Sequence, residues 1–260
     1  MLGAIVGDIV GSRFEFDNHK SKEFELFHKE CDFTDDTAMT IAVAKSLSYL
    51  NNSNDEKGFK EHLIKILHEF GALYPDLGYG GHFLTWLETE ETRPYNSCGN
   101  GSAMRVSAVG WYAKTLKEAE DIARMTAEIT HNHTEGIKGA QAVAAAIFLA
   151  RAGVPKKEIK QYIEDKYYLL NFTLDEIRPT YDYEITCQKS VPQALEAFFE
   201  STDFEDAIRN AISIGGDSDT IAAITGSIAE AFYGIDEDIK ETALSYLDEY
   251  LLDVIEEINK

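Results

Sequence analysis

Apolar residues recur at helical spacing through most of the chain. Phe59, Leu63, Ile66, Leu67 and Phe70 fall on one stripe within Phe59–Tyr74, the 3.6-residue period of an amphipathic helix. A second stripe joins Ala119, Ile122, Ala123, Met125, Thr126 and Ile129. Ile137 to Ala152 is rich in alanine and reads as a tightly packed, buried helix that stops near Gly153. Pro155 suits the first turn of the next helix, which runs through about Lys166. Asp203 is placed to cap a helix through Ile214. Ile221 to Tyr233 forms another, stopped by Gly234, and the last is expected to run unbroken from about Asp238 to Ile258. Alternation is scarce. Tyr181–Thr186 is the best strand candidate, inside an irregular segment, 169–192, that suits a lid, a short hairpin or a long connection.

This pattern predicts an all-α fold in one domain over residues 1–260. Only five prolines occur, and no Ser/Gly-rich linker or repeat marks a boundary. With 44% hydrophobic residues, the chain can bury a large core. Lys and Arg total 24 against 46 Asp and Glu, a formal charge of −22. That balance excludes a broad basic face for duplex nucleic acid and disfavours anionic membranes. Three cysteines lie far apart, as in a reducing compartment. The N-terminal stretch meets Asp8 and Arg13 too early for a signal peptide, and no apolar run reaches membrane-spanning length, so a cytoplasmic location is expected.

Several segments carry more chemistry than helix packing needs. Gly3, Gly7 and Gly11 share one face of an apolar helix, where they permit close approach of another backbone. Glu15 follows, between Phe14 and Phe16. Phe33-Thr34-Asp35-Asp36-Thr37 precedes a helix over Ala38–Leu50, and Gly215-Gly216-Asp217-Ser218-Asp219-Thr220 precedes the helix at Ile221. Capping explains either segment alone. Together they hold more acid than caps require, and neighbouring carboxylates repel unless a cation or proton compensates. Four carboxylates and threonine oxygens suit Mg²⁺ or Mn²⁺, whereas no Cys or His spacing suggests zinc. Asn96-Ser97-Cys98-Gly99-Asn100-Gly101-Ser102 leads into a helix and offers backbone N–H groups to a phosphate. His131 and His133 end a helix, where the imidazole of His133 is expected to meet the last carbonyls.

The run GDIVGSRFEF, FTDDT, SCGNGSAMR, TH and GGDSDT, in this order, closely resembles the ADP-ribosylglycohydrolase family from Gly3 to about Gly234. The resemblance implies an orthogonal all-α assembly around two divalent ions, Mg or Mn. It makes Thr34, Asp35, Asp36, Asp217, Asp219 and Thr220 metal ligands, with Asp219 bridging. It makes Glu15 the catalytic carboxylate, assigns Asn96, Ser97, Cys98 and Asn100 to the ADP-ribose diphosphate and adjoining ribose, and sets His131 near the ribose. The implied substrate is an ADP-ribosylated protein or an ADP-ribose-containing small molecule. Asp76 is the only acid in Pro75–His82, where arginine-specific relatives carry an acid toward the guanidinium. A Mg-dependent nucleotide pyrophosphohydrolase and a non-catalytic ADP-ribose-binding regulator are the alternatives.

Overall fold

A computed structural model describes residues 1–89 and 92–259. In chain order its helices are α1 (Leu2–Ser12), α2 (Asp35–Ser46), α3 (Glu56–Leu73), α4 (Gly81–Glu88), α5 (Gly101–Met104), α6 (Ser107–Tyr112), α7 (Leu116–Glu128) and α8 (Thr134–Arg151). They continue with α9 (Lys156–Lys166), α10 (Leu174–Ile177), α11 (Cys187–Phe199), α12 (Phe204–Ser213), α13 (Ser218–Tyr233), α14 (Glu237–Leu244) and α15 (Glu249–Ile258). The fold is all-α. Among the described residues, extended backbone pairs at one antiparallel bridge, Gly99 with Thr186.

The centre is α13. Every residue from Ser218 to Ala229 is buried, as expected of a helix without a polar stripe. It packs against α1, α8, α11 and α12. The contact with α1 is the tightest. A Cβ on Gly7 would lie 2.1 Å from the Ala222 carbonyl oxygen, and one on Gly3 would lie 2.1 Å from that of Gly226. A Cβ on Gly11 would lie 2.6 Å from the Asp219 Cα. The glycine face of α1 therefore fixes where the acidic start of α13 sits. A single connected cluster of buried side chains runs from Ile5 to Ile255.

Three expectations need correction. Tyr181–Thr186 is not a strand: its end pairs with the 98–100 loop through Asn100 N–H to Ile185 O and Cys187 N–H to Cys98 O, both 2.9 Å. Tyr181 packs on Gly216, whereas Tyr183 and Ile185 at the same alternating positions stay exposed, so no buried sheet face stands behind the alternation. The 169–192 segment is not wholly irregular, since α11 begins at Cys187 and carries Pro192 inside it. An internal proline costs a helix ~3 kcal/mol, but Val191, Ala194, Leu195 and Phe198 are buried and offset it. The terminal helix is two helices. Asp248 caps α15 by accepting from Leu251 N–H at 2.9 Å, and the turn buries Leu247, so the apolar period survives the break.

Gly7→Ala tests the central contact. The added methyl meets main chain that no rotamer change can move, so stability should fall by about 3 kcal/mol, within the overpacking range. Urea unfolding measures it; an unchanged midpoint would mean that α1 and α13 part without cost.

Candidate active site

Three chain segments deliver carboxylates to one cleft. α1 ends at Ser12, and the following turn carries Glu15. α2 begins earlier than the pattern suggests, so Asp35 and Asp36 lie in its first turn. α13 likewise begins at Ser218, with Asp217 just ahead of it. Glu15, Asp35, Asp36, Asp217, Asp219 and Thr220 all line the cleft. Ligand oxygens of Glu15, Asp217 and Asp219 lie within 4.8 Å of one another.

Capping does not account for these acids. Thr34 caps α2, its hydroxyl oxygen accepting from Asp36 N–H at 3.2 Å, which leaves both aspartate side chains free of that duty. Asp217 makes no side-chain cap bond to α13 and accepts from Asn100 Nδ2 at 2.6 Å. Asp36 Oδ2 accepts from the Thr220 hydroxyl at 3.0 Å, so Thr220 joins the second entrance to the first. Asp36 Oδ1 is buried without a hydrogen-bond partner.

Asp8 completes the arrangement and is passed over by the sequence reasoning. It is fully buried on α1. It accepts from Thr34 N–H (2.9 Å), the Thr34 hydroxyl (2.7 Å) and Thr37 N–H (3.0 Å), and so docks α2 onto α1. The available signal is a lone acid inside an otherwise apolar, glycine-lined helix. The Thr34 proton thus goes to Asp8, and Thr34 is not among the cleft-lining residues.

Burial and mutual repulsion shift the acids toward their protonated forms. Burial pushes Asp8 up to about 6 against its bonds from Thr34 and Thr37. Glu15 rises to about 7, through burial first and then repulsion from Asp217. Burial likewise raises Asp35, Asp36 and Asp219 well above the ordinary range, reinforced for each by neighbouring aspartates. Asp217 is raised by burial, although hydrogen bonds from Asn100 and Asp219 oppose the rise. An all-oxygen set with an orphaned buried carboxylate oxygen fits a hard divalent cation.

The opposite wall comes from the loop before α5 and from the end of α7. Ser97, Asn100 and His131 line the cleft; Asn96 and Cys98 are not among the lining residues. Asn96 is exposed, holds a left-handed φ of 55°, and donates its N–H to Asn132 Oδ1 at 2.7 Å. Gly99 N–H is taken by Ser97 Oγ at 3.0 Å. His133 faces away from the last carbonyls of α7; it caps α8, its Nδ1 accepting from Glu135 N–H at 3.1 Å. Tyr95, Arg105 and Tyr183 also line the cleft. The Tyr183 hydroxyl donates to Glu15 Oε1 at 3.3 Å. Asp76 is not among the cleft-lining residues.

Residues 1–260 match the ADP-ribosylglycohydrolase family. The chain belongs to that family. The chain is similar to the ADP-ribosylhydrolase ARH3 of Homo sapiens, with 27% identity covering 91% of this chain and 85% of the relative. It is also similar to the ADP-ribosylarginine hydrolase Tri1 of Pseudomonas putida, at 25% identity over 90% of this chain and 70% of the relative. A solved ADP-ribosylglycohydrolase-related protein complex shares the fold, with a TM-score of 0.67, 23% identity and 94% and 95% of the two chains covered. Family membership supports hydrolase activity on ADP-ribosyl groups. Among the described residues, no helix is long and apolar enough to cross a membrane.

The raised carboxylates set a sign for cation binding. A folded-state pKa above the unfolded value means that the native state holds protons the unfolded chain has released. These groups therefore favour the fold at low pH, and for Asp8 and Glu15 that contribution is lost as pH rises through about 6 and about 7 respectively. A cation must displace those protons. The rise in Tm on adding Mg²⁺ or Mn²⁺ should accordingly be larger at pH ~7.5 than at pH ~5. Asp219→Asn should lose most of it. A shift independent of pH would exclude this cluster as the binding site.

Proposed function

We propose that the chain is a metal-dependent hydrolase that cleaves the glycosidic bond at the distal ribose of an ADP-ribosylated protein or small molecule. The observation that carries this reading is the convergence of Glu15, Asp36, Asp217 and Asp219 opposite Ser97, Asn100 and His131 in one cleft. One wall is acidic and the other presents hydroxyl, amide and imidazole groups, a division suited to a sugar flanked by a diphosphate.

Asp35, Asp36, Asp217, Asp219 and Thr220 would hold one or two divalent ions, Mg or Mn, with Thr34 behind them. Such ions supply positive charge that offsets the carboxylates and polarises the ribose hydroxyls. Glu15 is the chain's own acid–base group. Its carboxylate accepts the proton of the attacking water and faces the charge that develops on the sugar, whose transition state is oxocarbenium-like. The Tyr183 hydroxyl orients the carboxylate. Asn100 fixes Asp217 through one amide hydrogen and reaches Ser190 Oγ at 3.1 Å with the same nitrogen, so the acidic wall and the loop move as a unit. Ser97 and Asn100 would hold the diphosphate and its ribose, with Asn96 and Cys98 shaping the loop behind them, and His131 would hold the adjoining sugar. The whole chain serves as one domain, in keeping with its continuous core.

Turnover of arginine-, serine- and acetyl-linked ADP-ribose, with Mg²⁺, Mn²⁺ or chelator, tests the reading and assigns the linkage. Glu15→Gln should lower kcat by ~10²–10⁴ while ADP-ribose still binds. Full activity in Glu15→Gln at saturating cation would remove Glu15 from the mechanism, and no turnover of any linkage by the wild-type protein would overturn the hydrolase itself.

A further inference from the structure

Arg105 is 1% exposed and is the only arginine or lysine among the described residues lining the cleft. Among the described residues no carboxylate pairs with it. Its Nη2 donates to the Thr126 carbonyl at 3.0 Å and to the Thr130 hydroxyl oxygen at 2.8 Å, and the Phe83 ring centre lies 5.5 Å from its Cζ. A buried cation without an ion-pair partner is costly, and its hydrogen bonds must offset part of that cost. Here one of them reaches Thr130, whose hydroxyl in turn contacts the cleft-lining His131.

A guanidinium can only donate. Thr130 Oγ1 therefore accepts from Arg105, which leaves the hydroxyl's own proton to be placed. His131 Nδ1 lies 2.8 Å from that oxygen, and among the described residues no other acceptor contacts the hydroxyl. The proton goes to Nδ1, so the ring carries its single hydrogen on Nε2. A second proton is opposed by burial and by the charge of Arg105, which hold the imidazole well below its usual range. Nε2 faces the glycine loop, 3.2 Å and 3.5 Å from where a Cβ on Gly101 or Gly99 would stand. With side chains absent there, the nitrogen looks into the cleft.

We propose that Arg105 is a positioning residue: acting through Thr130, it holds His131 as the Nε2–H tautomer and so gives the ligand a fixed, neutral hydrogen-bond donor above Gly99–Gly101. The recognised group is an oxygen acceptor, a ribose hydroxyl or a phosphate oxygen. The opposite tautomer would turn a lone pair toward the ligand, repelling a phosphate oxygen and forcing a ribose hydroxyl to donate instead of accept.

Nitrogen NMR of protein labelled with ¹⁵N-histidine reads the tautomer without any ligand, the His131 signal being assigned by its loss in His131→Gln. The wild-type ring should be protonated on Nε2. Thr130→Val keeps the shape and removes the relay; it should yield a mixture of tautomers and raise the Kd for ADP-ribose ~10-fold, the effect of about one oriented hydrogen bond. Arg105→Lys, which retains a donor and the charge, should restore the Nε2–H form and most of the affinity, whereas Arg105→Met should not. A wild-type ring protonated on Nδ1, or a Thr130→Val protein with unchanged tautomer, would overturn the proposal. The affinity arm rests on the ADP-ribose reading of the cleft: a wild-type protein that binds no ADP-ribose sinks that reading, while the tautomer measurement still decides the role of Arg105.

Discussion

The site depends on how closely two backbones approach. α1 and α13 meet with glycine on one side and glycine, alanine or bare main chain on the other, at separations a single methyl would violate. Because Gly11 lies against Ser218 and Asp219, the last turn of α1 is fixed beside the first turn of α13. Glu15 leaves the end of α1 and therefore arrives near Asp217 and Asp219. Asp8, on the same helix, docks Thr34 and so brings in the second pair of acids. One packing interface thus sets all three sources of carboxylate, and the cleft inherits its geometry from the core.

That geometry is electrostatically unfavourable for the chain alone. Acids gathered from α1, α2 and α13 share a space where desolvation and mutual repulsion push the same way. Such clusters persist where the surrounding structure holds them, and here Thr34, Thr220 and Asn100 each engage an acid directly. Strain of this kind is the counterpart of affinity for a cation, since the repulsion relieved on binding adds to the binding free energy. The threonines have a further effect. By donating to Asp8 and Asp36 they fix which oxygens remain open, so Asp36 keeps one buried oxygen without any partner.

Much of this was legible in the sequence because the features are local. Helical stripes at Phe59–Phe70 and Ala119–Ile129, the Asp203 cap and the Gly234 stop each depend on a few neighbouring residues, and each is found. The acid-rich helix entrances were legible for the same reason. What escaped requires tertiary knowledge. Pro192 reads as a breaker until the buried face of α11 is known. The apolar period from Leu244 to Leu251 passes straight through the turn that separates α14 from α15. Tyr181–Thr186 alternates like a strand, although its partners are the glycine loop and the cleft. Asp8 is hidden among apolar residues, because only its contacts with Thr34 and Thr37 distinguish it from a tolerated misfit.

The two walls of the cleft solve opposite problems with the same device, a buried charge fixed by neutral hydroxyls. On the acidic side Thr34 and Thr220 donate protons to carboxylates. On the other side Thr130 accepts from Arg105 and passes its own proton to His131. A hydroxyl can do either, because it carries one proton and two lone pairs. Its direction is set by whichever charged neighbour cannot reverse its role: a carboxylate forces the threonine to donate, and a guanidinium forces it to accept. Charge buried on each side thus becomes hydrogen-bond direction at the surface of the cleft. Direction matters more than strength in a low-dielectric site, since a misdirected donor there is both unpaired and repulsive. The acidic wall is thereby left with open oxygens and the opposite wall with the outward Nε2–H of His131, which is the polarity required by a ligand that presents hydroxyls to one side and an acceptor oxygen to the other.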